Sequence, residues 1–327
     1  MITVTAPPIS RTGSVGTLHA LLDRRESDLP ETIAFRFLTD GEHHEEIHTY
    51  STLAANARRI AAAIIRRNLQ GQPILVIHPP GLGFIEALFA CWYAGAIAVP
   101  AYPPRGSRHR KRFEAILADS AAKHVLAPAD QPDIPRVSIF RSEDAPNTSI
   151  DFEPPSDIHA PCLIQYTSGS TSSPKGVVLT QHHFISHCEG IQPVVKHLDI
   201  GSIVSWLPPY HDMGLVLKIL FAFERGIPLT FFSPDHFIQK PIRWLQAITR
   251  YGGNFSGAPN FAFEMCLRSV RDEDLSGLDL PRGKPPRAEL KESVRTRCDV
   301  SPSASPHVDS APPHFFRAMA WRNPPLP

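Results

Sequence analysis

Short apolar segments alternate with stretches of helical periodicity along most of the chain. The apolar segments are typical of buried strands, and the stretches between them repeat their apolar residues at helical spacing. This alternation predicts βαβ units and an α/β fold with doubly wound, mostly parallel sheets and flanking helices. The predicted strands are 33–38, 45–50, 74–77, 96–99, 123–126, 137–140, 162–166, 177–179, 203–207, 229–232 and 254–257. The predicted helices are 14–25, 53–68, 84–93, 112–119, 181–191, 214–224, 238–251 and 261–270.

The pattern stops near residue 281. Residues 281–327 hold ten prolines and many arginines, and no apolar face recurs among them. A segment of this composition buries too little apolar surface to offset its ordering entropy, so we expect a disordered tail. Residues 14–280 are then the folded unit, and residues 1–13 are expected to be a flexible start.

Composition narrows the class of protein. Hydrophobic residues make up 42% of the 327 residues and charged residues 20%, which is typical of a soluble globular protein. The formal net charge of +1 gives no reason to expect binding to nucleic acid or to an anionic membrane. The longest apolar stretch, 84–102, contains Glu86 and ends in prolines, so we interpret it as a helix and a strand rather than an integral membrane segment.

The five cysteines are scattered and form no Cys-x-x-Cys pair. This usage favours a reducing, cytoplasmic compartment over a disulfide or zinc framework. The first residues also lack the basic and apolar regions of a signal peptide, so we expect a cytoplasmic protein.

A polar loop lies between the predicted strands 162–166 and 177–179. It consists of hydroxyl residues and glycines and ends in Pro-Lys-Gly. Backbone N–H groups, hydroxyl donors and a cation together suit a polyphosphate, so we predict a phosphate-binding loop. It is not a Walker A loop, because Lys175 precedes Gly176. The alternative is a flexible Ser/Gly linker.

A second polar cluster, His211 and Asp212, follows the predicted strand 203–207 and two prolines. It is therefore expected at the carboxyl end of a strand, on the sheet edge that also carries the polar loop. Ligands bind at this edge in open α/β sheets. The alternative is that Asp212 caps the next helix and His211 packs locally.

The residues around both clusters resemble a known enzyme superfamily. Tyr-Thr-Ser-Gly-Ser-Thr followed by Pro-Lys-Gly (166–176) resembles the signature loop of adenylate-forming enzymes. Pro-Pro-Tyr-His-Asp-Met-Gly-Leu (208–215) resembles the matching motif of their fatty acyl-AMP ligase branch, and segments 79–87, 98–104 and 256–262 also look typical of that branch. The resemblance runs from about residue 16 to about residue 280.

The resemblance implies that a fatty acid is activated to acyl-AMP with ATP and Mg²⁺, and then passed to an acyl carrier protein or a polyketide synthase. It places His211 beside the acyl-adenylate as the catalytic residue. The residues implied to bind the triphosphate are Thr167, Ser168, Gly169, Ser170, Thr171, Lys175 and Gly176. Those implied to line the carboxylate and acyl site are Gly214, Ala258, Pro259, Asn260 and Phe261. For Phe261 and Phe263, core packing is the alternative.

Some of the family's later residues have no match in this sequence. The acidic metal ligand, the ribose-binding aspartate and the C-terminal lysine are missing, so no metal ligand is assigned. We therefore expect residues 281–327 to be an aberrant or truncated end outside the family pattern. A catalytically inactive remnant and an acyl-CoA ligase are the alternative functions. The basic run 105–112 is either a solvated surface or a docking site for an acidic carrier protein.

Overall fold

The structure is a computed structural model that describes residues 16–104, 106–145, 152–167, 174–195, 198–275, 277, 278 and 280. The first half contains α1 (Leu18–Asp28), β1 (Ile33–Leu38), β2 (Glu45–Thr49), α2 (Tyr50–Arg66), β3 (Pro73–Val76), α3 (Leu82–Tyr93), β4 (Ile97–Pro100), α4 (Gly106–Ser120), β5 (His124–Ala127) and β6 (Ser138–Arg141). Then follow β7 (Pro161–Thr167), β8 (Lys175–Thr180), α5 (Gln181–Val195), β9 (Ile203–Ser205), α6 (Asp212–Gly214), a π-helix (Leu215–Leu220), α7 (Phe221–Arg225), β10 (Leu229–Phe232), α8 (Pro234–Gln239), α9 (Ile242–Arg250), α10 (Asn260–Ser269) and a 3₁₀ turn (Asp272–Leu275).

The described strands form two sheets. The larger has the order β6-β5-β3-β4-β7-β8, and its pairs are parallel except for the β7–β8 hairpin. The smaller has the order β2-β1-β10-β9, in which only β1 and β2 are antiparallel. The predicted α/β class with mostly parallel sheets and flanking helices is confirmed.

Helix α3 is the centre of the core. Ten of its twelve residues are buried, so it is apolar on every side, as expected of a core helix. Its single carboxylate, Glu86, accepts hydrogen bonds from His48 Nε2 at 2.6 Å and Asn56 Nδ2 at 2.7 Å. The helix and the strand predicted within 84–102 are confirmed as α3 and β4. Within the described part of the chain, no helix combines the length and apolar character needed to cross a bilayer.

Several predicted bounds are wrong for local reasons. Helix α2 begins three residues before its predicted start, because Thr49 and Thr52 form a capping box. The predicted helix 238–251 is two helices, the first capped by Ser233, with the break at residues 240–241. Helix α5 continues through Pro193, where the prediction ended it. The predicted strand 254–257 is reduced to an isolated bridge between Phe255 and Ile203.

Strand β8 was expected to be buried, and this expectation is wrong. It lies at the edge of the larger sheet, and Val177 and Val178 are 46% and 53% exposed. The predicted phosphate-binding loop therefore starts from a buried strand, β7, and returns on an exposed one.

The predicted tail 281–327 and start 1–13 lie outside the described residues, so the expected domain boundaries stay predictions.

Candidate active site

The β7–β8 hairpin frames the predicted phosphate-binding loop. Tyr166 pairs with Gly176, and Thr167 pairs with Lys175, so the two strands stay paired at the point where the loop leaves them. The predicted ligands Ser168, Gly169, Ser170 and Thr171 lie outside the described residues. Three predicted ligands are described: Thr167 ends β7, and Lys175 and Gly176 are exposed at the start of β8.

Gly176 has a steric role that the sequence did not indicate. A Cβ atom at this position would lie 2.8 Å from Cγ2 of Ile164 and 2.9 Å from Cζ of Tyr166. The glycine therefore lets two β7 side chains lie across β8. The Tyr166 hydroxyl donates a hydrogen bond to Asp119 Oδ2 at 2.6 Å, and burial together with this bond raises the tyrosine pKa.

The two sheets meet at Tyr210, which connects the loop strand to the His211 cluster. The buried side chain of Gln165, on β7, donates from Nε2 to the backbone oxygen of Tyr210 at 2.9 Å. The Tyr210 ring packs edge-on against Tyr102, just beyond β4, with ring centroids 5.1 Å apart. The Gln165 hydrogen bond joins the strand that enters the loop, in the larger sheet, to the segment 208–214 that follows β9, in the smaller sheet. The prediction that both polar clusters lie on one edge of a single sheet is therefore wrong, because β7 and β9 belong to different sheets. Gln165 was not assigned a role from the sequence, although it directly precedes the signature motif.

His211 and Asp212 form an ion pair. Nδ1 of His211 lies 2.5 Å from Oδ1 of Asp212, and the two side chains are 53% and 60% exposed. This hydrogen bond raises the pKa of His211 and lowers that of Asp212, while partial burial and the positive charge of Arg112 oppose the rise at His211. Because Nδ1 contacts the carboxylate, Nε2 is the ring nitrogen left for a hydrogen bond outside this pair.

The capping alternative for this cluster is correct in part. His211, not Asp212, occupies the N-cap position of α6, and Asp212 Oδ1 accepts a hydrogen bond from the backbone N–H of Met213 at 2.7 Å. The His211 backbone accepts the N–H of Leu215 at 2.8 Å, which fixes the start of the helical segment. The ion pair and the cap therefore coexist.

Gly214 is required by a close backbone approach. A Cβ atom at this residue would lie 2.0 Å from the backbone oxygen of Pro208, far inside van der Waals contact. The first helical turn thus folds back onto the proline turn that precedes it. This explains the glycine sterically and leaves its predicted contact with the substrate carboxylate a prediction.

The predicted acyl-lining segment is anchored to β9. Ser256 Oγ donates to the backbone oxygen of Val204 at 2.6 Å and accepts from Trp244 Nε1 at 2.9 Å. Beyond this anchor, Ala258 and Pro259 are half-buried, and Asn260 is exposed at the start of α10.

The two phenylalanines of this segment differ in their surroundings. Phe263 is buried and packs against Trp244 with ring centroids 5.3 Å apart, so core packing is correct for this residue. Phe261 is 49% exposed and touches Trp206 edge-on at 6.0 Å. Phe261 is therefore open to a ligand, whereas Phe263 is not.

Lys218 was missed from the sequence. It lies on the π-helix directly after Gly214, its side chain is only 1% exposed, and its Nζ has no hydrogen-bond partner among the described residues. A lone charge inside the apolar run 215–223 was the available signal.

The described residues contain no group of three or more His, Cys, Asp or Glu side chains that could hold a metal ion. The described site instead supplies positive charge: Lys175 at the end of the loop, His211 with its raised pKa, and Arg112 close enough to influence it. These charges fit the phosphates of a nucleotide.

The family model described as AMP-binding enzyme matches residues 22–303 of the chain. A medium-chain fatty acid–acyl carrier protein ligase, JamA of Moorena producens, is 37% identical over 281 residues, which are 81% of this chain and 48% of that protein. The fatty acid AMP ligase from Legionella pneumophila is 31% identical with a TM-score of 0.77, covering 89% of this chain and 54% of that one. A fatty acyl-adenylate ligase from L. pneumophila, solved with acyl adenylate and pyrophosphate, is also 31% identical with a TM-score of 0.76, covering 88% and 53%. The chain thus spans about half the length of the relatives it matches.

Proposed function

Because this chain belongs to the AMP-binding enzyme family, we propose that its protein activates a fatty acid by joining it to AMP. A carboxylate oxygen of the acid attacks the α-phosphorus of ATP, and the bond to pyrophosphate breaks. The acyl group is then transferred to an acyl carrier protein or a polyketide synthase, and AMP is released as the bond between acyl group and phosphate breaks; the name of JamA states a carrier-protein reaction for that protein. Mg²⁺, when bound, would neutralise charge on the departing pyrophosphate. The buried, unpaired cysteines of the described chain support a cytoplasmic location as part of the same proposal.

One observation carries the proposal: the Gln165 side chain ties the strand that enters the phosphate-binding loop to the backbone of Tyr210, one residue before His211. A loop suited to phosphates and an imidazole with a raised pKa are therefore tied together, although they follow strands of two different sheets. Adenylation needs this combination, since the anionic carboxylate must approach an anionic phosphate and positive charge must be in place beforehand.

His211 is proposed to supply part of that charge. Its pair with Asp212 favours the imidazolium and orients the ring, so that Nε2–H can donate to an oxygen of the adenylate. The Phe261 ring and the half-buried Ala258 and Pro259 then offer an apolar wall to the alkyl chain. Burial of that chain contributes about 0.8 kcal/mol per CH₂ group.

ATP–pyrophosphate exchange with medium- and long-chain fatty acids tests the proposal. We expect acid-dependent exchange that falls at least about a hundredfold in His211→Ala, the scale on which loss of one electrostatic contact acts. His182→Ala, an exposed histidine on α5, is the matched control and should retain the wild-type rate.

Folded wild-type chain that gives no exchange above background would reject the proposal for this chain and support the inactive-remnant alternative. Equal exchange in wild type and His211→Ala would reject the role of His211. An acyl-CoA ligase would pass the exchange test but transfer the acyl group to CoA rather than to a carrier protein, so an acceptor assay separates that alternative.

A further inference from the structure

Arg112 is an exposed arginine in the second turn of α4. In the part of the chain that the structure describes, no hydrogen bond or ion pair joins its guanidinium to another residue. A side chain of this kind is most often simply solvated, since arginines are mostly exposed. The place of Arg112 on the helix, however, brings its charge close to both parts of the candidate active site.

The start of α4 lies beside the strand end from which the polar loop leaves. Helix α4 follows β4, and β4 runs parallel to its neighbour β7, so the carboxyl ends of these two strands lie side by side. The helix then returns across the sheet, because β5, which follows it, is parallel to the same strands. Phe113 and Ile116 of α4 pack in one apolar cluster with Tyr166 of β7. The first turns of α4 are therefore the part of the helix nearest to the carboxyl end of β7.

Arg112 and Asp119 share one side of α4, because seven residues make about two helical turns. The carboxylate of Asp119 accepts the hydrogen bond from Tyr166 Oη at 2.6 Å, so this side of the helix faces β7. Helix α4 also contacts β8, the strand on which the loop returns. Arg112 lies about 10 Å nearer to the start of the helix than Asp119, and thus nearer to the strand ends that frame the loop.

Arg112 also lies near His211. Tyr102, between β4 and α4, packs against Tyr210, which brings the start of α4 to the segment that carries His211. The positive charge of Arg112 acts on the imidazole and opposes the rise of the His211 pKa. Two neighbouring cations repel each other in the free protein, and an anion bound by both would remove that cost.

We propose that Arg112 binds the β- and γ-phosphates of ATP, between His211 and the strand ends that frame the polar loop. The inference rests on the proposed function, because it takes the loop as the phosphate site and His211 as the residue beside the adenylate. The bond that breaks in adenylation lies between these two groups, so the guanidinium is on the side of the departing pyrophosphate. Its planar fork can donate two parallel hydrogen bonds to phosphate oxygens, and these stabilise the charge that builds on the leaving group.

Isothermal titration calorimetry of the full chain with α,β-methylene-ATP and with AMP tests the inference without turnover. The methylene group prevents release of pyrophosphate, and AMP lacks the two outer phosphates. Arg112→Gln should weaken the binding of α,β-methylene-ATP about tenfold or more, the scale of a hydrogen bond between charged groups, and leave the binding of AMP unchanged. Arg110→Gln is the matched control, because it removes the same charge from an exposed position about 200° around the same helix. It should bind both nucleotides as wild type does.

Equal binding of α,β-methylene-ATP by wild type and Arg112→Gln would overturn the inference while the proposed function stands. An equal loss in Arg110→Gln would also overturn it, because the effect would then come from the net charge of the helix and not from one contact. A loss of AMP binding as large as that of the analogue would overturn it too, since the guanidinium would not act on the outer phosphates. If the folded wild-type chain binds neither nucleotide, the inference and the proposed function both fail. Unchanged AMP binding by Arg112→Gln shows that the nucleotide site is intact in the variant.

Discussion

Replacing Lys218 by methionine should change how the stability of the chain depends on pH. Burial lowers the pKa of this amine from its ordinary value of 10.5 to about 7 in the folded state. The difference of about 3.5 between these pKa values corresponds to about 5 kcal/mol, at about 1.4 kcal/mol for each unit of pKa. The side chain is fully buried, so solvent does not screen this penalty.

The sign follows from proton binding. Between pH 7 and pH 10.5 the unfolded chain keeps the proton on Lys218 and the folded chain does not, so the contribution of this group to the free energy of unfolding rises with pH. Below pH 7 both states are protonated and the full penalty of about 5 kcal/mol applies. By pH 8.5 it has fallen to about 3 kcal/mol. The cation–π contact with the Phe255 ring stabilises the charged form of Lys218 by about 0.5–2 kcal/mol.

We therefore expect the free energy of unfolding of Lys218→Met to exceed that of wild type by about 3 kcal/mol at pH 6. At pH 8.5 this difference should be smaller by about 2 kcal/mol. Urea unfolding followed by circular dichroism at both pH values measures it. Lys123→Met, which replaces an exposed lysine, is the matched control and should follow wild type at every pH. Parallel pH profiles for wild type and Lys218→Met would refute the reasoning, because they would mean that the buried amine keeps an ordinary pKa.

Two further predictions concern the His211 cluster. Gly214→Ala should lower the free energy of unfolding by about 1–3 kcal/mol, because its Cβ would overlap the backbone oxygen of Pro208. Urea unfolding measures this change. The control Gly190→Ala lies on the open surface of a helix, so its free energy of unfolding should stay the same or rise by up to about 1 kcal/mol. Asp212→Asn should lower the pKa of His211, because the hydrogen bond from Nδ1 to the carboxylate is the main cause that raises this pKa. NMR titration of the imidazole measures the pKa of His211. An unchanged value in the variant would contradict the ion pair.

The fold class could be predicted because it depends on periodicity. Apolar segments separated by amphipathic stretches are enough to indicate parallel sheets, and the observed strands lie within one or two residues of the predicted ones in most cases. The errors arise where one local contact decides. The capping box of Thr49 moves the start of α2, and the break at Lys240 and Pro241, the C-cap of α8 and the N-cap of α9, divides the helix predicted over 238–251.

The site could be predicted in outline but not in its connections. Residue types at strand ends indicated the polar loop and His211. The shared edge expected from a single parallel sheet is absent, because the loop follows β7 of the larger sheet and His211 follows β9 of the smaller sheet. The hydrogen bond from Gln165 to Tyr210 joins residues 45 positions apart and has no local signature. The π-helix is equally invisible, since its extra residue per turn is set by tertiary packing rather than by the spacing of apolar residues.

Three of the eight buried side-chain polar atoms that lack a hydrogen-bond partner among the described residues lie in or beside the segment 206–218. Among the described residues, Gln165 Oε1, Trp206 Nε1 and Lys218 Nζ are buried without hydrogen-bond partners, and all three side chains belong to, or contact, the segment 206–218. Each such atom costs about 1–3 kcal/mol if it stays unpaired. The other five are on Arg25, His124, His187, Glu224 and His236, outside that segment. Locally destabilising choices in an otherwise consistent fold are expected where a ligand supplies the missing partners. For the segment that follows β9 we therefore expect binding and stability to oppose each other, so a substitution there that raises stability should lower the affinity for the proposed substrate.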